Sequence, residues 1–241
     1  MGVLKKFFGK SKTKNRINYR TEMNDTSGQA NSISKKFLDT KLSVNLQTLR
    51  QTTGGSSDVI IRQIDLGKNN TVKAALIMLD GLIDDTIVNE FVIKMLLSDP
   101  AMQKVITGEE IFDYLEKKLL PLTNIASIYD WNDLFDKLFS GETIILIDGQ
   151  QKAISTSTRG EEKRSISEPK NEVSLRGPKE AFTESIRTNT SLIRKRFKNP
   201  NLWMESFQIG KVTKTDVSIM YLKGIANDKI VNEVRERLKK I

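Results

Sequence analysis

Carboxylates and arginines recur at short spacing in the C-terminal third of the chain, together with amide and hydroxyl groups: Glu168, Arg176, Thr183, Glu184, Arg187 and Asn189. An arginine fork suits a carboxylate, which it takes through two parallel N–H···O bonds. The carboxylate comes either from a small ligand such as an amino acid or from Glu168 or Glu184. Equal numbers of acids and arginines within a few residues favour the internal salt bridge.

Other groups invite chemistry and yield less. Asp80, Asp84 and Asp85, with Asp148 elsewhere, offer the hard oxygen ligands that magnesium needs, but aspartate ahead of a helical pattern is also a cap. Gly67-Lys68 and Gly210-Lys211 are not followed by Ser or Thr opening a helix, so they read as hairpin glycines rather than a phosphate loop. Arg187, Arg194, Lys195, Arg196 and Lys198 form a basic face near which only Trp203 and Phe207 lie. A single-strand platform needs interleaved aromatics. The reading is therefore a solvated face or a subunit contact, with no nucleic acid as partner. The chain has no histidine and no cysteine, which excludes disulfides, thiolate zinc, histidine-ligated metals and Ser-His-Asp triads. Carboxylate, Lys, Tyr or Ser-Lys catalysis stays open on composition alone. No cofactor and no metal are assigned.

The elements that position these residues follow from periodicity. A strand is expected at Glu172–Arg176, broken by Gly177-Pro178, then a helix from about Lys179 to Phe197 with Phe182, Ile186, Ile193 and Phe197 on its apolar face. Asn199-Pro200 stops it. Trp203–Ile209 and Thr215–Leu222 read as a hairpin through Gly210-Lys211, and Asn227 caps a last helix carrying Ile230, Val231, Val234 and Leu238. Upstream, a helix over Leu42–Arg50 ends at Gly54-Gly55, and Val59–Leu66 is a strand. Lys73–Leu79 is a strand buried on both faces, because nearly every residue is apolar. Asp84 caps a helix over Asp85–Leu97. Amphipathic helices at Glu109–Leu119 and Asp130–Phe139 flank the apolar run Ile125–Ile128. Thr143–Asp148 and Lys152–Thr156 form a hairpin at Gly149, and Ser157–Ser165 reads as a linker.

The 241 residues, 38% hydrophobic, suffice for a real core in one or two domains. Of the net charge of +9, seven charges fall in the first twenty residues with no acid among them, leaving the rest near neutral at about +2. Residues 1–35 read as a mobile basic tail, either solvated or held at an anionic membrane surface with help from Leu4, Phe7 and Phe8. No apolar run reaches the roughly 18 residues of a membrane span, and the N-terminal apolar patch is too short for a signal peptide.

An internal repeat organises the rest. A shift of 143 residues places Leu66-Gly67-Lys68 on Ile209-Gly210-Lys211, Gly81 on Gly224 and Asp84-Asp85 on Asn227-Asp228. It also places Ile87-Val88-Asn89-Glu90 on the identical Ile230-Val231-Asn232-Glu233. Repetition of this kind marks two copies of one α/β unit. Opposite Asp80 stands Lys223 and opposite Asp84 stands Asn227, which favours capping over metal. The first copy runs about sixty residues beyond its capped helix and the second does not, so the chain is expected to be part of a longer protein.

Finally, Arg159-Gly160, Glu162-Lys163-Arg164, Glu168-Pro169, Arg176-Gly177-Pro178, Phe182-Thr183-Glu184, Arg187-Thr188-Asn189, Gly210, Thr213, Thr215 and Gly224-Ile225-Ala226 occur in an order that resembles the A subunit of spore germinant receptors, the GerA family. The resemblance extends from about Val59 onward. Lys179 and Ala181 depart from it, standing where the family often has Arg and Gly. It implies a region on the cytoplasmic side of the inner spore membrane, working with B and C subunits and sensing, relaying or assembling in response to nutrients such as amino acids or sugars. It implies no enzyme. The alternatives are a homo-oligomeric scaffold without a ligand, or a nucleotide- or anion-binding regulator. The expected fold is α/β, with two related subdomains at 40–156 and 157–241, each a small mixed sheet packed with helices.

Overall fold

The computed structural model describes residues 36–104, 107–119, 125–160 and 181–241. The basic tail, the strand expected at Glu172–Arg176, and Glu168 and Arg176 lie outside them. Residues 35–241 form one compact unit.

Helix α1 (Leu42–Thr53) leads into β1 (Val59–Leu66) and β2 (Val72–Leu79). A π-helical segment (Ile87–Ile93) runs into α2 (Lys94–Ser98), followed by α3 (Gly108–Leu119), β3 (Ile125–Ile128), α4 (Trp131–Leu138), β4 (Glu142–Ile147) and β5 (Ala153–Ser157). These strands form one sheet in the order β1-β2-β4-β5-β3, antiparallel at every pairing. After the undescribed stretch come α5 (Ile186–Arg196), the two-stranded antiparallel sheet β6 (Leu202–Ile209) and β7 (Thr215–Leu222), and α6 (Asp228–Leu238).

The core sits on both faces of the larger sheet. Leu76 and Met78 of β2, Ile145 and Ile147 of β4, and Ile154 of β5 face a cluster supplied by Val88, Val92, Leu96, Ile111, Phe112 and Leu115. The alternate residues Ala75, Ile77, Leu79, Ile144 and Leu146 are equally buried and point to the opposite face, as strand geometry requires. There α1 and α4 contact β2, with Leu46, Leu49, Trp131, Leu134 and Phe135 buried. Each such side chain contributes about 1.5–3 kcal/mol by leaving water. Burial on both faces is why β2 reads as a continuous apolar run.

Local caps agree with the residue types. Asp130 accepts the backbone N–H groups of Asn132 and Asp133, both at 3.0 Å, to start α4. Asp84 takes those of Thr86 at 2.8 Å and Ile87 at 3.4 Å. Helix α1 is capped from afar: Asp148, at the end of β4, accepts the N–H of Leu42 at 2.8 Å.

The repeat is visible in the backbone. β1 and β2 become β6 and β7 on adding 143 to each bound, and the register is kept: Val59 opposes Leu79 as Leu202 opposes Leu222. Two surroundings differ. β2 is paired on its other side by β4, with Ala74–Ile77 against Ile144–Ile147, whereas β7 has no second partner among the described residues. The shared Ile-Val-Asn-Glu lies in a π-helical segment in the first copy and in a regular α-helix in the second.

Three expectations are corrected. The helix expected from Lys179 begins only at Ile186, because Ser185 adopts extended backbone and its hydroxyl accepts the N–H of Thr188 at 3.3 Å. Its expected apolar face points outward, with Phe182, Ile186 and Phe197 exposed, while Thr190, Ser191, Leu192 and Arg194 are buried. The described part of the expected linker, 157–160, is packed: Thr158 is buried with its hydroxyl 2.7 Å from that of Thr143, and Ile83 bridges to Arg159.

Candidate functional site

The predicted polar cluster is built on α5 and the turn before it. Asn189 accepts the backbone N–H of Thr183 at 2.7 Å and donates to its carbonyl at 2.8 Å, closing the turn onto the helix. The first copy carries the same clasp: Asn45 accepts the N–H of Asp39 at 2.9 Å and donates to its carbonyl at 2.7 Å. Sequence reasoning missed it because the two asparagines are 144 rather than 143 residues apart. The signal that finds it is an Asn in the first turn of each copy's leading helix. Glu184 is exposed and is not brought onto Arg187.

Arg187 instead reaches into the first copy. Its Nε donates to Asp80 at 2.7 Å and its guanidinium to Asp85 at 2.8 Å. Partial burial opposes the cation, but the hydrogen bonds to Asp85 and Asp80 outweigh it and raise the arginine's pKa. Asp80 and Asp85 thus share Arg187, while Asp84 caps the segment that follows it and Asp148 holds the start of α1. Among the described residues no three such groups gather as a metal site.

The residue that sequence reasoning placed on a basic outer face, Arg194, is 1% exposed. Its Nε donates to Asp58 at 2.6 Å, and one terminal nitrogen donates to the other Asp58 oxygen and to the Ser56 hydroxyl, each at 3.0 Å. Ser56 donates to Asp58 and receives the N–H of Met204. The guanidinium carbon of Arg194 lies 5.1 Å from the centre of the Phe139 ring. A buried ion pair needs this degree of hydrogen bonding to offset the loss of hydration. Its acceptor Asp58 lies 136 positions away and Ser56 138, so no local pattern announces it.

Around this fork the two copies meet at several more points. Ser57 donates its backbone N–H to Met204 at 2.9 Å, Trp203 donates to the carbonyl of Thr52 at 3.1 Å, and Lys198 donates to Ser140 at 3.1 Å. Gly81, at φ +79, lets the Arg187 carbonyl and Ser191 approach to 3.1 Å of where a Cβ would stand. The polar residues therefore act as a junction between the repeats. Among the described residues, pockets of about 230, 460 and 410 Å³ lie elsewhere, near Trp131, near Tyr129 and near Lys118.

The described residues thus form an antiparallel α/β unit followed by a repeat of its first hairpin and helix, joined through α5. The chain belongs to the GerA family: residues 47–241 match the family described as Bacillus/Clostridium GerA spore germination protein. It is 40% identical over 205 residues to spore germination protein KA of Bacillus subtilis (strain 168), covering 85% of this chain and 37% of that protein. With spore germination protein B1 of the same organism the identity is 32% over 208 residues, covering 85% and 41%. Among solved structures it is similar to the N-terminal domain of the A subunit of the Bacillus megaterium spore germinant receptor GerK3. The TM-score is 0.69 at 36% identity, over 86% of this chain and 74% of that one. The chain spans about two fifths of the length of these curated relatives. Among the described residues no helix is long and apolar enough to cross a membrane.

Proposed function

We propose that this chain is the N-terminal region of a nutrient germinant receptor A subunit and that it couples receptor assembly to the germination signal. It lies on the cytoplasmic side of the inner spore membrane and works with B and C subunits. The observation that carries the coupling role is the use made of the characteristic polar residues: Arg187 holds Asp80 and Asp85 across the repeats, and Asn189 closes the turn at Thr183. Side chains engaged in this way transmit a displacement of one unit to the other. They are not held ready for an amino acid or a sugar, whose binding in this reading falls to other parts of the receptor. The basic tail supplies attraction to anionic lipid.

The test is germination of spores whose receptor carries Arg187→Ala or Arg187→Lys. Coupling predicts a slower response to every nutrient that the receptor recognises, at unchanged receptor abundance, with partial rescue by lysine. A change confined to the concentration dependence of one nutrient would assign Arg187 to ligand recognition instead. A homo-oligomeric scaffold would leave the response unchanged in Arg187→Ala while assembly persists.

A further inference from the structure

The first copy carries a groove that the contacts between the repeats leave unused. It lies where Asp148 closes β4, about 20 Å along the strand from Ser140, which takes Lys198. Here the segment before α1 runs antiparallel to the segment before α4, and Phe37 bridges Asp130. The N–H of Leu38 donates to the Tyr129 carbonyl at 3.0 Å, and that of Trp131 to the Lys36 carbonyl at 3.1 Å. In this pattern the N–H and C=O of Phe37 itself point away from the pair, and neither has a partner among the described residues. The pockets of about 230 and 460 Å³ meet at Phe37 and Gln151. Phe37 is 60% exposed, Tyr129 54% and Val44 39%. The free charges are of one sign. Asp39, Asp130 and Asp148 each accept a backbone N–H, from Lys41, Asn132 and Leu42. Lys36 and Lys152 line the groove with no acidic partner among the described residues, and the Lys152 ammonium lies 3.7 Å from the centre of the Phe112 ring.

We propose that this groove docks an extended segment of another protein in which carboxylates alternate with apolar side chains. A free N–H and C=O on one extended residue are a template for an added strand, and they select a peptide backbone over a lipid or a nucleotide. Exposed rings gathered in one patch mark an interaction site. Phe37, Tyr129 and Val44 receive the apolar side chains of the added strand, and Lys36 and Lys152 receive its carboxylates. The inference goes beyond the coupling role proposed for Arg187 and stands without it, since the two places share no residue.

Panning of a random peptide library on the 241-residue chain tests it. Counter-selection uses the double variant Phe37→Ser with Tyr129→Ser, which keeps every basic residue and so removes peptides held by charge alone; its amide spectrum checks that the core is intact. Enriched peptides should alternate acidic and apolar residues. Made synthetically, each should shift the amides of residues 36–38, 129 and 150–152 saturably in two-dimensional NMR. Lys36→Glu with Lys152→Gln should weaken binding at least tenfold, and so should N-methylation of the peptide's central amides. No enrichment over the double variant, enrichment of basic peptides, shifts confined to other residues, or binding indifferent to N-methylation would overturn the proposal. Self-association of the unaltered chain in sedimentation, lost in the double variant, would also overturn it and make a second copy the occupant.

Discussion

Replacing Gly54 with alanine tests the junction through a residue that carries no polar chemistry. Gly54 ends α1 in the left-handed region at φ 63° and ψ 21°, where an L-residue costs about 1–2 kcal/mol. The added Cβ would stand 2.1–2.4 Å from three atoms of the Trp203 indole, too close for any contact, so the ring must leave. Overpacking of this kind costs about 1–3 kcal/mol, and the departing ring gives up its hydrogen bond to Thr52, worth about 1 kcal/mol. The expected loss is about 3–6 kcal/mol, on the order of 10–20 °C in Tm for a chain of this size. Urea denaturation of Gly54→Ala, Trp203→Ala and the double variant separates the contributions. In the Trp203→Ala background the alanine should cost only the backbone part, about 1–2 kcal/mol, which leaves a coupling of about 2–4 kcal/mol. An alanine that costs the same with and without the indole would refute the packing argument.

Three further outcomes are expected. Asp58→Ala, which leaves the Arg194 charge buried, should destabilise by about 3–5 kcal/mol, whereas Asp58→Ala with Arg194→Met should recover much of that loss in denaturant titrations. Asn45→Ala and Asn189→Ala each remove two hydrogen bonds of the same clasp and should each cost about 1–3 kcal/mol, with the two values similar; a cost at one site only would deny that the clasps are equivalent. Asp99 is held at a pKa of about 2 by hydrogen bonds from Lys118 and Tyr114 and from the Ala101 N–H. Its folded-state pKa lies below its unfolded value, so this stabilisation is present above about pH 4 and is lost as the pH falls toward 2. Acid titration of Asp99→Asn should show a shallower loss of stability over that window.

The sequence shows most clearly what is local or periodic. The strands of both hairpins and the caps at Asp84 and Asn227 rest on neighbours within a few positions, the 143-residue repeat is plain by alignment of the chain with itself, and the structure has them. The run Lys73–Leu79 marks a doubly covered strand because its composition records burial on both faces. Helix α5 shows the opposite. Its apolar spacing, Phe182, Ile186, Ile193 and Phe197, suggested a core face, but what decides its orientation is a buried arginine whose partner lies in the loop before β1. A long-range ion pair leaves no trace in helical periodicity, so a residue type that usually stays in water was placed there. The π-helical segment was equally hidden, since the same Ile-Val-Asn-Glu forms a regular helix at Ile230–Glu233.

The central claim is that Arg187 joins the two repeats, on a helix start that Asn189 and Thr183 close, and that none of the three holds a nutrient. The most direct test is two-dimensional amide NMR of the folded chain, titrated with amino acids, sugars and inorganic ions. The account predicts that the signals of residues 183–189 stay unmoved by every nutrient, while Asp80→Asn or Asp85→Asn shifts them. Saturable shifts clustered at Arg187 and Asn189, lost in Arg187→Ala while the fold persists, would contradict it and make this domain the nutrient sensor.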